Sequence, residues 1–137
     1  MQLTELYNIA EKSGIRVDDF KLDENTQSLA VYFDDMYAIA IDISKLNSNA
    51  EIMEALAHEL GHCKTHSFYN INNILDVRTK HEYNADKWAC EKLIPKEEMQ
   101  EAFENGYVEV WQLAEYFDVT ESLVKKALWI YFDKEIA

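Results

Sequence analysis

Proline and glycine are scarce in this sequence, which has one proline and three glycines among 137 residues. Such a shortage of the residues that end helices and form tight turns favours long regular elements, mainly helices, joined by simple loops. Hydrophobic residues make up 48% of the chain and charged residues 28%, which is the balance of a folded protein. We therefore expect a single domain over residues 1–137.

Positive charge is also in short supply, with 13 Lys and Arg residues against 26 Asp and Glu residues. The resulting net charge of −13 repels nucleic acid and anionic membranes. The charge favours encounter with a partner that has a basic surface. The charge says nothing about the identity of that partner, but it predicts no direct binding to nucleic acid and none to membranes.

Long apolar runs and paired cysteines are absent as well. The N-terminal segment MQLTELYNIAEKSGIRV is amphipathic and does not resemble a signal peptide, and no segment approaches the length of a membrane span. Cys63 and Cys90 form no CxxC pair. These features predict reduced thiols in a cytoplasmic protein.

The remaining pattern predicts helices around a small hairpin. Residues 28–33 and 36–42 are rich in β-branched and aromatic residues and favour two antiparallel strands, with a further short strand at 15–20. Ser48 and Glu51 form a capping-box pattern that opens a helix through about Thr65. A first helix is expected to end near Gly14, and residues 67–76 are predicted to form a loop. Four more helices are predicted, at 77–93, from Pro95 to just before Gly106, at 108–116 and at 121–132, and Thr120 caps the last of them.

The run HELGH at residues 58–62 is the first motif that carries chemistry. His58 and His62 are four residues apart, so on a helix their side chains share one face, with Cβ atoms about 5–6 Å apart. Two imidazoles at this spacing can bind one Zn²⁺, and Glu59 beside them can accept a proton from a water molecule as general base. The run adjoins an apolar stripe, formed by Ile52, Leu56 and Leu60. This position at the border of the core argues against two surface histidines on a charged helix.

A catalytic zinc site needs a third protein ligand and one open position. The candidates are His66, Cys63, His81, Glu82 and Asp86. His66 is eight residues from His58, about 12 Å along a continuous helix, so both could bind one ion only if the helix broke. Cys63 points about 100° away from its neighbour His62, toward the apolar stripe.

Glu82 and Asp86 offer a better solution from the second long helix. They lie four residues apart on a side that continues with apolar residues, namely Ala85, Ala89 and Leu93. Carboxylates on such a face are costly unless a positive group meets them. We therefore assign Glu82 as the third ligand and Asp86 as the acceptor for the N–H of a ligating histidine. The alternative is an exposed acidic pair near Lys87 and Arg78.

HExxH followed by ExxxD, here EYNAD at 82–86, resembles the gluzincin arrangement of thermolysin-like peptidases. More closely, HELGH with the trailing His66, then EYNAD and WACEKLIP at 88–95, is similar to the ImmA/IrrE family of metallopeptidases. The hairpin and the segment WQLAEYFDVTESLVKKAL follow that family's order, so the resemblance covers roughly residues 30–130. It implies an α+β, mostly helical, zincin-like minimal metallopeptidase domain with a small antiparallel sheet and a helical C-terminal segment.

The resemblance also implies a function. Such proteins are commonly encoded by phages, integrative elements and stress-response loci, and they cleave a helix-turn-helix transcriptional repressor to relieve repression. Carried over by position, Zn²⁺ is bound by His58, His62 and Glu82, Glu59 is the general base, and Asp86 orients a ligand. The donor that stabilises the oxyanion in the transition state stays open among three candidates, His66, Tyr83 and Tyr69.

The tail at about 107–132 resembles a helix-turn-helix that is packed as part of the same domain. DNA affinity depends on phosphate contacts, but this segment is surrounded by acidic residues and its second helix offers only Lys125 and Lys126 as cations. Its aromatic residues are better explained as core and docking surface. We therefore expect no direct contact with DNA.

Two other functions remain compatible with these motifs. The chain could be a binding module that sequesters a repressor stoichiometrically, with zinc structural or absent. It could also be a toxin-like partner in a two-gene module. The native metal stays open too, since a His₂Glu site favours Zn²⁺ but accepts Mn²⁺, Fe²⁺ or Co²⁺.

Overall fold

The structure, a computed structural model, describes residues 1–68 and 75–133, with only the backbone described for 75–79 and 133. Within these ranges the α-helices are α1 (Leu3–Lys12), α2 (Asn49–Lys64), α3 (Leu75–Leu93), α4 (Lys96–Glu104), α5 (Val110–Phe117) and α6 (Glu121–Leu128), and a short 3-10 helix spans Ile43–Lys45. The strands are β1 (Ile15–Asp19), β2 (Ser28–Phe33) and β3 (Met36–Ile41). The mostly helical α+β fold predicted from the sequence is confirmed.

The three strands form one mixed sheet in the order β1-β3-β2. The predicted hairpin is present, because β2 pairs antiparallel with β3 and the turn residues Asp34 and Asp35 both adopt positive φ, as tight hairpin turns require. β1 adds to the other side of β3 in parallel, with Ile15 opposite Tyr37. The sheet is therefore mixed where the pattern indicated only an antiparallel hairpin, and β2 is an edge strand.

Helix α2 begins as predicted, since the Ser48 hydroxyl accepts a hydrogen bond from the backbone N–H of Glu51. Its buried side faces the sheet and α3 and includes Met53, Leu56, Ala57 and Leu60. α3 faces it with small and apolar side chains, namely Ala85, Ala89, Cys90 and Leu93. The two long helices therefore pack along their apolar sides, and the polar ends of these sides meet at the site described below.

The C-terminal helices complete the core. Pro95 lies at the N-cap of α4, one residue before the first turn in which we expected it, and Thr120 caps α6 as predicted. α6 ends at Leu128 and the chain continues as a π-helical turn over Trp129–Asp133, so the α-helix is shorter than the predicted 121–132. The apolar residues Leu113, Leu123, Val124 and Ala127 are buried, which packs the helix-turn-helix-like pair onto the domain.

Two predictions concern the part of the chain at or next to residues 69–74, which lie outside the described ranges. Most of the predicted loop at 67–76 lies there, and α3 begins at Leu75, two residues earlier than expected. Across the ranges that the structure does describe, no helix is both long enough and apolar enough to cross a membrane.

Candidate metal centre

His58 and His62 occupy successive turns of α2, and their rings meet edge to face with centroids 4.8 Å apart. Glu82 of α3 bridges them. One of its carboxylate oxygens is 2.9 Å from His58 Nε2, and the other is 3.1 Å from His62 Nε2. Among the described His, Cys, Asp and Glu residues, these three form the group whose ligand atoms lie within 4.8 Å of one another.

Each histidine ring is held by a hydrogen bond from its other nitrogen. His58 Nδ1 lies 2.8 Å from Asp86 Oδ1, and His62 Nδ1 lies 2.5 Å from the carbonyl oxygen of Ser67. Because a carboxylate and a carbonyl accept hydrogen bonds, each Nδ1 carries a proton, and each Nε2 is the nitrogen that faces Glu82. Without a metal ion, Nε2 donates a proton to the Glu82 carboxylate; a neutral ring offers the lone pair of Nε2 to an ion instead. Acceptors of this kind orient metal-binding histidines and increase their basicity.

The close approach of α2 and α3 brings Glu82 within reach of the histidines. Gly61 lies between His58 and His62 on α2 and packs against the backbone of Ala85 on α3. Ala85 follows Glu82 by three residues. A Cβ atom at Gly61 would stand 2.5 Å from the Ala85 carbonyl oxygen. The absence of a side chain at Gly61 therefore sets the helix spacing that the site depends on.

The donor set fits a metal ion, and zinc gives a measure of the spacing that is needed. A tetrahedral ion with Zn–N and Zn–O distances of about 2.0–2.1 Å holds its ligand atoms about 3.3–3.4 Å apart. The candidate ligand atoms, one from each residue, all lie within 4.8 Å of one another, so side-chain movements of about 1 Å would bring them to this spacing. Two imidazoles and one carboxylate are also the ligands of a known class of catalytic zinc site, in which a fourth position stays open.

The charges within the cluster show that it attracts positive charge, which a bound metal ion would supply in place of a proton. Hydrogen bonds from His58 and His62 hold the pKa of Glu82 far below its ordinary range, so Glu82 is a carboxylate at neutral pH. Burial opposes protonation of His58, but its hydrogen bonds to Asp86 and Glu82 outweigh burial and raise its pKa to about 10. The pocket therefore draws positive charge to the place where Nε2 atoms and carboxylate oxygens meet.

Glu59 lies beside the cluster and is almost entirely buried. Burial raises the pKa of its carboxyl group, while a hydrogen bond donated by the Ser28 hydroxyl, 2.7 Å from Oε2, opposes this increase. A carboxylate with a raised pKa is suited to accept a proton and deliver it again near neutral pH.

One cavity of about 330 Å³ joins these groups. It is lined by His58, Glu59, His62, Glu82, Ser28, Leu29, Ala30, Ser67 and Phe68. The wall formed by residues 28–30 belongs to β2, the edge strand of the sheet. The cavity therefore places the candidate ligands and the candidate general base beside an edge strand of the sheet.

The other predicted residues lie elsewhere in the described structure or outside it. His66 has a positive φ of 50° just after α2, and its Nδ1 is 2.9 Å from the Tyr37 hydroxyl. Tyr83 lines a separate cavity with Trp129, and Tyr69 lies outside the described residues. Neither His66 nor Tyr83 is among the described residues that line the cavity of the cluster, so their role as oxyanion donors stays a prediction.

Three contacts of the site have no signature in the sequence. Ser28 is 31 residues from Glu59, and the strand pattern that surrounds it does not predict a polar partner. Ser67 contributes a backbone carbonyl, a group that every residue has. The ammonium group of Lys126 reaches Asp86 from α6, 40 residues away along the chain.

Comparisons with known proteins agree with this geometry. The peptidase family described as the IrrE N-terminal-like domain matches residues 10–128. Neither the curated proteins nor the solved structures include a match to the chain. The matched range holds the whole cluster of His58, Glu59, His62, Glu82 and Asp86 and extends through α6. The chain belongs to the peptidase family of IrrE N-terminal-like domains.

Proposed function

We propose that the chain is a zinc-dependent endopeptidase that cleaves a helix-turn-helix transcriptional repressor at a specific site and so relieves repression. The observation that carries this proposal is the convergence of His58, His62 and Glu82 beside the buried Glu59 in one cavity. Membership of a peptidase family supports the peptidase part of this proposal.

In this proposal His58, His62 and Glu82 hold Zn²⁺. When bound, the ion polarises the scissile carbonyl group and lowers the pKa of water to about 7. Glu59 accepts a proton from the attacking water molecule and later donates it to the leaving amine. Ser28 fixes the Glu59 carboxylate through its hydroxyl, and Asp86 and the Ser67 carbonyl fix the two histidine rings.

The net charge supports a basic substrate. With a charge of −13, the chain attracts proteins that carry the positive surface with which DNA-binding domains meet phosphate. The same negative charge repels DNA, so DNA does not compete with a protein substrate for binding to this chain. A repressor of helix-turn-helix type therefore agrees with the charge of the chain as well as with the family.

The test is cleavage with turnover by the zinc-loaded chain. A candidate repressor, beginning with any helix-turn-helix protein encoded beside this chain's gene, is incubated with one tenth of its molar amount of enzyme, and new termini are mapped by mass spectrometry. We expect two defined fragments that accumulate beyond the amount of enzyme. If the chain cleaves unrelated peptides but no repressor, the peptidase activity is supported and a helix-turn-helix repressor is rejected as its substrate.

Glu59→Gln is the decisive variant, because it removes the proton acceptor while keeping the shape of the side chain. It should reduce kcat at least about 10²-fold, while leaving zinc affinity unchanged. Glu91→Gln, on the exposed part of α3, is the matched control and should cleave normally. If Glu59→Gln and the unaltered chain release the repressor from its operator equally and without fragments, stoichiometric binding replaces proteolysis as the function.

A further inference from the structure

Helix α6 contributes polar side chains to the surroundings of the metal centre. The Thr120 hydroxyl at its N-cap donates a hydrogen bond to Glu54 Oε1 on α2. Two turns later, Lys126 Nζ lies 3.4 Å from Glu54 Oε2 and 3.5 Å from Asp86 Oδ1 on α3. Lys126 therefore lies between two carboxylates that belong to the two ligand-bearing helices.

The contact with Asp86 involves the atom that matters for the metal centre. Asp86 Oδ1 also accepts the hydrogen bond from His58 Nδ1 at 2.8 Å. The opposite nitrogen of that ring, Nε2, is the candidate ligand atom, 2.9 Å from Glu82. A direct series of contacts thus runs from the Lys126 ammonium group through Asp86 to the ligand atom of His58.

The electrostatics explain why a cation is needed there. The side chains of Glu54 and Asp86 are only 19% and 24% exposed, so water screens their mutual repulsion weakly. Burial lowers the pKa of Lys126, but the charges of Asp86 and Glu54 outweigh this effect and raise it, so Lys126 is charged at neutral pH. Without this ammonium group, the negative charges of Asp86 and Glu54 would be left uncompensated, and Asp86 Oδ1 would lose one of the two contacts that hold it in the orientation that meets His58.

We propose that Lys126 is a positioning residue of the metal centre, which holds the Asp86 carboxylate in the orientation that directs His58 toward the ion. Through it, the C-terminal helix α6 is a functional part of the site as well as part of the core. This inference rests on the metal ligands of the proposed function, but it does not depend on what the enzyme cleaves.

The test measures zinc affinity by competition with a chromophoric chelator, using the full chain without any substrate. Lys126→Met keeps the aliphatic stem and removes the charge. Mutating a residue that hydrogen-bonds to a metal ligand typically weakens metal binding about 10–100-fold. We therefore expect Asp86→Asn to weaken zinc binding about tenfold or more, and Lys126→Met to weaken it about three- to tenfold. Lys126→Arg, which keeps a cation beside both carboxylates, should restore affinity to within about twofold of the unaltered chain.

Two further variants separate positioning from simple packing. Lys125→Met removes the exposed neighbouring lysine of α6 and should leave zinc affinity unchanged. Glu54→Gln breaks the ion pair that ties α6 to α2 but leaves Lys126 on Asp86, so it should lower the melting temperature without weakening zinc binding. A purely structural lysine would instead make Glu54→Gln and Lys126→Met equivalent in both measurements.

A double-mutant cycle between Lys126 and Asp86 tests the coupling directly. In the Asp86→Asn background, Lys126→Met should change zinc affinity by less than about twofold, because its target carboxylate is already gone. An equal loss in both backgrounds, or no loss in the unaltered background, overturns the inference while the proposed function stands. A chain that binds no zinc in any form overturns both. If Lys126→Met does not fold, Lys126→Gln takes its place, and its zinc affinity and melting temperature are compared with those of Glu54→Gln.

Discussion

Gly61 of α2 lies in direct contact with the backbone of Ala85 of α3. A Cβ atom at Gly61 would be 2.5 Å from the Ala85 carbonyl oxygen and 2.9 Å from its Cα, distances that real Cβ atoms essentially never show. His62 follows Gly61 in sequence, and Glu82 precedes Ala85 by one helical turn. The contact therefore fixes the distance between the two helices at the level of the metal ligands.

Gly61→Ala should lower both stability and zinc affinity. Helix propensity alone would make the change stabilising by about 0.5–1 kcal/mol, but overpacking against fixed backbone costs about 1–3 kcal/mol. We therefore expect a net loss of about 1 kcal/mol in the free energy of unfolding, measured in urea, together with zinc binding that is weaker by about tenfold. A variant that is more stable and binds zinc normally would contradict this account of the helix contact.

Gly106→Ala is the matched control for that experiment. Gly106 has a φ of +91°, so a side chain there is strained, but a Cβ atom at Gly106 would meet no neighbouring atom within 4 Å. This variant should lose stability through its backbone alone and should bind zinc as the unaltered chain does. The contrast separates a general loss of stability from a change in helix spacing.

The parts of the site that the sequence could predict are those that helical periodicity determines. His58 and His62 share a face because four residues make about one turn, and Glu82 and Asp86 do so for the same reason. That these two faces meet followed from the cost of leaving carboxylates on an apolar side. The assigned metal-binding and catalytic roles stay predictions until the metal and the activity are measured.

The contacts that the sequence could not predict depend on tertiary structure. Ser28 reaches Glu59 because the hairpin folds over α2, and Lys126 reaches Asp86 because α6 packs beside α3. The hairpin itself was predictable, since its strands are adjacent in sequence. The parallel pairing of β1 with β3 was not, because nothing in a five-residue strand specifies its partner or direction.

Asp42 should make the fold sensitive to acid. Its side chain is almost fully buried and accepts hydrogen bonds from the Ser44 hydroxyl and the backbone N–H of Leu22, and Lys45 lies 3.3 Å away. These contacts, the Ser44 bond first, lower the pKa of Asp42 to about 2. Since the folded pKa is below the unfolded value, the stabilisation is complete above about pH 5 and is lost as the pH falls toward 2.

Asp42→Asn tests this through urea unfolding between pH 7 and pH 3. The variant should be less stable at pH 7, because its amide keeps one accepting oxygen and puts a nitrogen, which cannot accept a hydrogen bond, in place of the other. Its stability should also fall less steeply as the pH is lowered. Asp118→Asn serves as control, since Asp118 is exposed and asparagine tolerates its left-handed conformation. Parallel pH profiles for Asp42→Asn and the unaltered chain would show that other carboxylates cause the acid sensitivity.

Ser28→Ala should reduce the rate of the chemical step without affecting the metal. The Ser28 hydroxyl donates to Glu59 Oε2 at 2.7 Å, and a nearly buried carboxylate without this bond is free to turn away from the cavity. We expect kcat to fall about tenfold, which corresponds to about 1.4 kcal/mol, with little change in KM or zinc affinity. Ser28→Thr keeps the hydroxyl on a strand that favours threonine, and it should retain most of the activity. Because Ser28 also belongs to the cavity wall, a rise in KM at constant kcat would assign it to substrate binding and not to the positioning of Glu59.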